Sequence, residues 1–364
     1  MSPERLAAAA RARHDELLEL VALRSEAIAA ALRDELGMVA WDRQAVVGRA
    51  QRALRRLAEE PPRAAKGPTA ARVIERARQP LDALPAVWEA LLRGCRVHVE
   101  LERGASTAIT EVLRPLGERL GDGGARPLTV AAGDMEEEGE GDPPPEGASG
   151  WPQIGVEPAA ERLGVVGVDG DPELAAYVLA RTCLRRAGAE PRAIHRALVC
   201  GPSNRLERYL QRLWVGVVIG PADDPDAFSG PATPALAHAY LAAIERWRTC
   251  ADVEVLCRGG RLLRAGDDAL YLAPALFRRR WPRPADAPAS GSPALPLVGP
   301  MLAIEQVEEA SQGEAIAALD VPARRQLWIA PPPLGGVAEG GPRYVEGALV
   351  VERMPPGLPE PRPV

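Results

Sequence analysis

The sequence predicts an α/β fold built around parallel sheets. Short apolar runs of strand character alternate with stretches in which apolar residues recur at helical spacing, most clearly between Leu163 and Leu213. This alternation favours parallel pairing, because parallel neighbours need a crossover connection. With 364 residues, of which 46% are hydrophobic, the chain can fill the cores of two domains.

The first half predicts a helical region, a strand–helix repeat and a loop. Apolar spacing over residues 3–59 indicates two or three helices, ended by Gly37 and Pro61. The next predicted elements are strand Ala71–Ile74, helix Leu84–Leu92, strand Val97–Leu101 and helix Thr107–Leu120. The pattern breaks between Leu128 and Val156, where GDMEEEGEGDPPPEGASG at residues 133–150 cannot bury an apolar face. This stretch predicts a solvated acidic loop.

The second half predicts a longer alternation of strands and helices. Asp171 and Pro172 mark a helix start, since aspartate caps helices and proline suits their first turn. The predicted helices cover 171–187, 206–213 and 234–250, and a Pro-rich linker covers 282–296. The predicted strands are Leu163–Val168, Ala197–Cys200, Val253–Leu256, Leu270–Phe277, Met301–Val307 and Tyr344–Arg353.

Composition excludes several classes of function. The net charge is −6 and no basic stripe is present, which argues against nucleic acid as a partner. No apolar run approaches the roughly 20 residues that cross a membrane, and the charged N-terminus predicts a cytoplasmic protein. Five cysteines without a C-x-x-C pair and four dispersed histidines predict neither a disulfide framework nor a metal site.

Residues 188–199, GAEPRAIHRALV, resemble the nucleophile segment of aldehyde dehydrogenases, G-Q-x-C-x-A-G-S-R-x-x-V. The positions that match are Gly188, Ala193, Arg196 and Val199, whereas Pro191 falls on the cysteine. Further short motifs on both sides of this segment resemble aldehyde dehydrogenase motifs and occur in the same order as in that family, over residues 3–350. They are RDELGM, ALLRGCRVHVELE, VEPAAERLGVVGVDGDPEL, DDPDAFSGP, YLAPALF, VGPML and PLGGV.

The resemblance implies a fold and a domain plan. Aldehyde dehydrogenases combine a Rossmann-like cofactor domain, an α/β catalytic domain and a strand used for oligomerisation. We expect a degenerate dinucleotide-binding domain over 1–157, a catalytic-type domain over 158–340, and an oligomerisation strand with its tail over 341–364. The tail strand at 344–353 would pair subunits of a homo-oligomer.

The resemblance also implies a reaction, the NAD- or NADP-dependent oxidation of an aldehyde to a carboxylic acid by a cysteine thiolate. Pro191 supplies neither this thiolate nor a backbone N–H for the oxyanion. Glu157 falls on the general base, although an ordinary exposed charge is the other interpretation of this residue. Arg78 falls on the oxyanion-binding asparagine, if one deletion is allowed.

The cofactor positions are degenerate in the same way. Glu100 replaces a lysine that contacts the adenosine ribose, and Pro296 replaces a glutamate that contacts the nicotinamide ribose. The acidic loop occupies the place of the G-S-T-x-x-G segment. We therefore expect weak or no binding of NAD or NADP.

These substitutions favour a pseudoenzyme that retains the fold as an interaction or assembly module. The alternative is an active, diverged oxidoreductase with a relocated nucleophile. Cys183 and Cys200 are poorly placed for that role and fit the core, and His195 fits a surface or packing position. Arg192 and Arg196 beside the vacant position raise one further hypothesis, an anion site.

Overall fold

The computed structural model describes residues 1–59, 68–121, 126–131, 145, 147–155, 162–264, 266–281, 296–332, 339–346 and 355–359. It confirms a mixed α/β fold with parallel sheets. The chain forms two compact units, an N-terminal unit of Met1–Leu36 with Ala40–Ala159 and a C-terminal unit of Gly37–Val39 with Ala160–Val364. Within the described ranges, no helix is long and apolar enough to cross a membrane.

The N-terminal unit begins with four helices. Its elements are α1 (Pro3–Ala12), α2 (His14–Leu23), α3 (Ser25–Leu36), α4 (Ala40–Glu59), β1 (Ala70–Glu75), α5 (Ala83–Leu92), β2 (Arg96–Leu101), α6 (Thr110–Leu120), β3 (Leu128–Ala131) and β4 (Gln153–Ile154). The prediction of two or three helices was too low. The backbone leaves helical geometry at Arg13 and Arg24 while the apolar spacing continues through both breaks.

The sheet of this unit has the order β3-β2-β1-β4, and all its neighbours are parallel. One face includes the buried residues Val73, Val99 and Val130, whereas the other includes the polar residues His98 and Thr129. The predicted loop at 128–156 was wrong at its ends, which form β3 and β4. The short run at β3 gains its strand partners from β2, so pairing overrides the composition of the flanking residues.

The C-terminal unit contains the longer sheet. Its elements are β5 (Arg162–Val166), α7 (Pro172–Leu184), β6 (Ile194–Cys200), α8 (Asn204–Gly216), α9 (Pro234–Arg248), β7 (Glu254–Arg264), β8 (Asp267–Arg280), β9 (Met301–Val307), α10 (Gln312–Leu319), β10 (Gln326–Ile329) and β11 (Arg343–Val345). The strand order is β11-β10-β5-β6-β9-β8-β7, and only the β7–β8 pair is antiparallel among the described strands.

Helices cover both faces of this sheet. Leu163 and Val165 face the cluster that includes Ala315 of α10, whereas Leu179 of α7 lies against Gly164 on the opposite face. Because β5, β6, β10 and β11 are parallel, their first residues lie along one edge. The segment that contains Pro191 leads into β6 at this edge.

The predicted start of α7 is confirmed. Asp171 accepts backbone N–H bonds from Glu173 and Leu174 at 2.9 and 2.8 Å, and Pro172 occupies the first turn. The helix ends at Leu184, earlier than predicted, because the chain leaves α-helical geometry in the turn that follows.

Candidate functional site

The loop that carries Pro191 is conformationally strained. After α7 the chain forms a 3₁₀ turn, Arg185–Gly188, in which Arg186 and Ala187 have φ angles of 55° and 50°. Non-glycine residues rarely adopt this left-handed region and pay a conformational cost there. The buried Ser229 helps to hold the turn, since its Oγ accepts the Ala187 N–H at 2.8 Å.

Two of the family-like motifs meet at this loop. Gly188, from the nucleophile-like segment, has a φ of 79° and packs against the backbone of Gly299, from the VGPML segment. A Cβ on Gly188 would lie 2.0 Å from the Gly299 carbonyl carbon. Gly299 in turn packs against Tyr240 of α9. Backbone contact between the two motifs therefore fixes the position of the loop.

Pro191 is buried at the end of this loop. The preceding residue, Glu190, is 6% exposed and forms an ion pair with Arg185 across the turn, with 3.4 Å between Oε2 and Nη1. The proline ring has no nucleophilic atom and its nitrogen carries no hydrogen. This position can neither attack an aldehyde nor donate a backbone hydrogen bond to an oxyanion.

The five cysteines are all described, and burial raises the pKa of every thiol. Cys183 is fully buried, and its Sγ donates to the Met301 carbonyl oxygen at 3.1 Å. Burial and the nearby Glu309 raise the pKa of Cys200 to about 11, and burial raises that of Cys257 to about 11. Cys200 also lies at the far end of β6, about 20 Å along the strand from its start.

His195 and Arg196 point to opposite faces of β6, as successive strand residues do. The His195 Nδ1 lies 3.1 Å from the Met301 carbonyl oxygen, so this histidine is a buried packing residue. Arg196 lies 3.8 Å from the buried carboxylate of Glu305, which is also bonded to Arg279. Arg196 is thus committed to a buried ion cluster, which corrects the hypothesis that it joins Arg192 in an anion site.

In the N-terminal unit, Arg78 lies exposed in the loop that follows β1. The loop is held in place by Glu75, a buried residue that the sequence patterns did not single out. Its carboxyl group accepts the N–H groups of Leu81 and Ala83 at 2.5 and 3.2 Å. Burial raises the pKa of Glu75 to about 8, despite the opposing effect of these two bonds. Alternation along β1 places Glu75 on the same face as the buried Val73. This alternation could have predicted from the sequence that Glu75 is buried.

Glu100 lies on the polar face of the same sheet. Its carboxylate pairs with Arg72 of β1 at 3.5 Å and lies 4.0 Å from the Nε2 of His98. His98 is buried, and its Nδ1 lies 2.9 Å from the Thr129 hydroxyl. At a position where the resemblance places a cation for the adenosine ribose, the structure holds an anion that already has a cationic partner.

Pro296 lies beside α9 in the C-terminal unit. Its carbonyl oxygen accepts the indole N–H of Trp247 at 3.0 Å. Proline has no side-chain acceptor for a ribose hydroxyl, and its one backbone acceptor is used for packing. Neither Glu100 nor Pro296 supplies the group that the resemblance assigns to a nicotinamide dinucleotide. Glu157, the PLGGV segment and most of the acidic loop lie outside the described residues.

Comparison with solved structures identifies the fold, whereas comparison of the sequence with known proteins finds no match. No protein-family model matches the chain, and no curated protein matches it. Among solved structures, the chain is similar to an aldehyde dehydrogenase from Bartonella henselae, with 16% identity and a TM-score of 0.69 over 91% of this chain and 75% of that one.

Two other structures show the same likeness. A NAD-dependent benzaldehyde dehydrogenase from Corynebacterium glutamicum has 17% identity and a TM-score of 0.66, over 91% of this chain and 77% of that one. A methylmalonate-semialdehyde dehydrogenase from Oceanimonas doudoroffii has 15% identity and a TM-score of 0.67, over 90% and 73%. The chain therefore has the aldehyde dehydrogenase fold, and the resemblance seen in its motifs is confirmed at the level of the fold.

Proposed function

We propose that this protein is an aldehyde dehydrogenase-fold pseudoenzyme, which has lost cysteine-dependent aldehyde oxidation and acts as a binding or assembly module. The state of the thiols carries the proposal. A nucleophilic cysteine requires a lowered pKa and access to substrate. Each of the five thiols has a raised pKa, and the position that resembles the nucleophile is a buried proline.

The cofactor positions support the same conclusion independently. Glu100 is paired with Arg72, and the carbonyl of Pro296 is bonded to Trp247. Restoring a cysteine at residue 191 alone would leave both positions unchanged. We therefore expect that Pro191→Cys does not recover aldehyde oxidation.

Isothermal titration with NAD and NADP tests the proposal, together with turnover assays on aliphatic, aromatic and semialdehyde substrates. We expect no binding at micromolar concentration and no reduction of either nucleotide by a folded sample. Dinucleotide binding with aldehyde turnover would contradict the proposal and favour the active, diverged oxidoreductase.

Alkylation with iodoacetamide at pH 7.5 provides a second test that does not depend on the choice of substrate. The folded protein should react slowly at all five cysteines, and unfolding in guanidinium should expose them. One thiol that reacts much faster than free cysteine would identify a relocated nucleophile.

The assembly part of the proposal concerns the tail. β11 pairs with β10 of its own chain, and its outer edge faces no further strand among the described residues. Residues 347–353 of the predicted oligomerisation strand lie outside the described residues. An open strand edge can pair with a second chain. Sedimentation velocity should show a species larger than the monomer, and a monomer at every concentration would contradict this part.

A further inference from the structure

Three arginines converge where the strands of the C-terminal unit begin. Arg162 is the first residue of β5 and pairs in register with Ile194, the first residue of β6. Arg192 lies two residues before β6, and Arg343 is the first residue of β11. Since these strands are parallel members of one sheet, all three arginines lie at the same edge. We call this group the arginine edge.

The arginine edge concentrates positive charge. Arg162 is partly buried, and burial together with the charges of Arg192 and Arg343 lowers the pKa of its guanidinium. An arginine remains ionised at neutral pH even when its pKa is lowered. Within the part of the chain that the structure describes, none of these three guanidinium groups forms a hydrogen bond or an ion pair.

The one described carboxylate that acts on Arg162 does not balance this charge. Among the described residues, the carboxylate that acts on Arg162 is that of Glu190, and it is already paired with Arg185 at 3.4 Å. Like charges that converge and are only partly compensated repel one another and destabilise the fold. The chain as a whole carries a net charge of −6, so the arginine edge is a local departure from its composition.

We infer that the arginine edge binds a small anion of the phosphate type that carries two or more negative charges. Guanidinium groups present several N–H donors in a planar fork, which matches the oxygens of a phosphate. Three guanidinium groups have more N–H donors than the two oxygens of a single carboxylate can accept, so an anion with more oxygens fits them better. The inference goes beyond the loss of aldehyde oxidation and stands without it, because it depends on the arginines at the strand ends and not on the thiols or the cofactor positions.

Pyrophosphate and inorganic phosphate are suitable probes for the full-length chain. We expect millimolar pyrophosphate to raise the thermal midpoint by a few degrees, on the order expected for saturating a single site. Acetate at the same ionic strength should leave the midpoint unchanged. Absence of any stabilisation by pyrophosphate would overturn the inference.

Variants separate a built site from general surface charge. The double substitution Arg162→Gln with Arg192→Gln should weaken pyrophosphate binding at least tenfold in isothermal titration. Arg261→Gln is the matched control. Arg261 is exposed and lies on β7, the edge strand at the other end of the strand order from β11. Equal affinity of the double variant and the control would also overturn the inference. If the double variant does not fold, Arg343→Gln at an exposed position should lower the affinity several-fold, and an unchanged affinity would count against the site.

A second measurement distinguishes a ligand site from a structural role. Without anion, Arg162→Gln should raise the thermal midpoint, by roughly 2 °C, because it removes a partly buried cation and its repulsion by two neighbours. The variant should then respond little to pyrophosphate. A lower midpoint without anion would show that Arg162 stabilises the fold and would contradict the inference.

Discussion

Glu75 accepts the backbone N–H of Leu81 at 2.5 Å, and Leu81 has a φ of 64°. A buried carboxyl group thereby holds a leucine in a left-handed conformation that this residue type rarely adopts. The contact fixes the loop between β1 and α5, in which Arg78 lies. The shape of the loop that resembles the oxyanion segment thus depends on one buried acid.

Glu75 should make the protein less stable as pH rises. Its pKa is about 8 in the folded protein, chiefly because of burial, against an ordinary value of 4.5. The folded state therefore holds the proton more tightly, and stability is lost between about pH 4.5 and pH 8. Chemical denaturation across this range should show the loss, and Glu75→Gln should largely remove it. An identical pH dependence in both proteins would refute the assignment.

His14 should have the opposite effect at acidic pH. Its Nδ1 accepts the indole N–H of Trp88 at 2.7 Å, and burial lowers its pKa below the usual 6.5. Stability should therefore fall as pH drops below about 6.5, because the unfolded chain binds a proton that the folded state resists. His14→Asn keeps an acceptor near the Nδ1 position and cannot titrate. We expect this variant to lose less stability between pH 7 and pH 5 than the parent.

Gly188 and Gly201 offer a matched pair of substitutions. Their φ angles are 79° and 80°, but a Cβ on Gly201 meets nothing within 4 Å, whereas one on Gly188 meets the Gly299 backbone at 2.0 Å. Gly201→Ala should cost about 1–2 kcal/mol in unfolding free energy, the price of the left-handed backbone alone. Gly188→Ala adds a backbone overlap and should cost about 3 kcal/mol or more. Similar losses in urea denaturation would show that the Gly188–Gly299 contact is not tight.

Glu305 should be far more important for stability than an exposed acid. It is 1% exposed, and its Oε1 accepts the Nε–H of Arg279 at 3.1 Å. Glu305→Gln leaves buried guanidinium charge uncompensated and should cost roughly 3–5 kcal/mol. The control Glu254→Gln breaks an exposed pair with Arg278 and should cost about 0–1 kcal/mol. Comparable losses for the two variants would contradict a buried ion cluster.

The fold was predictable where local patterns agreed with pairing. The strand Met301–Val307 and the start of α7 were predicted as they occur. The predicted strand Val253–Leu256 was much too short, because β7 continues through Gly259 and Gly260 to Arg264. Those residues resemble a loop by composition, and their pairing with β8 makes them a strand.

The candidate site was predictable only where it depends on residue identity. The sequence by itself determined that a proline occupies the nucleophile-like position, that the chain alternates strands with helices, and that its motifs follow the order of aldehyde dehydrogenases. These properties belong to single residues or to short periodic patterns, so they can be determined without knowing which residues are in contact.

Only the tertiary structure decided which charges lie together. It removed Arg196 from the hypothetical anion site by burying it beside Glu305, and it joined Arg192 with Arg162 and Arg343 at the strand ends. The tertiary structure also shows that Glu75 and Cys183 are buried. Burial and electrostatic interaction depend on distance in space, and strand order, which brings distant segments to one sheet edge, cannot be computed from local spacing.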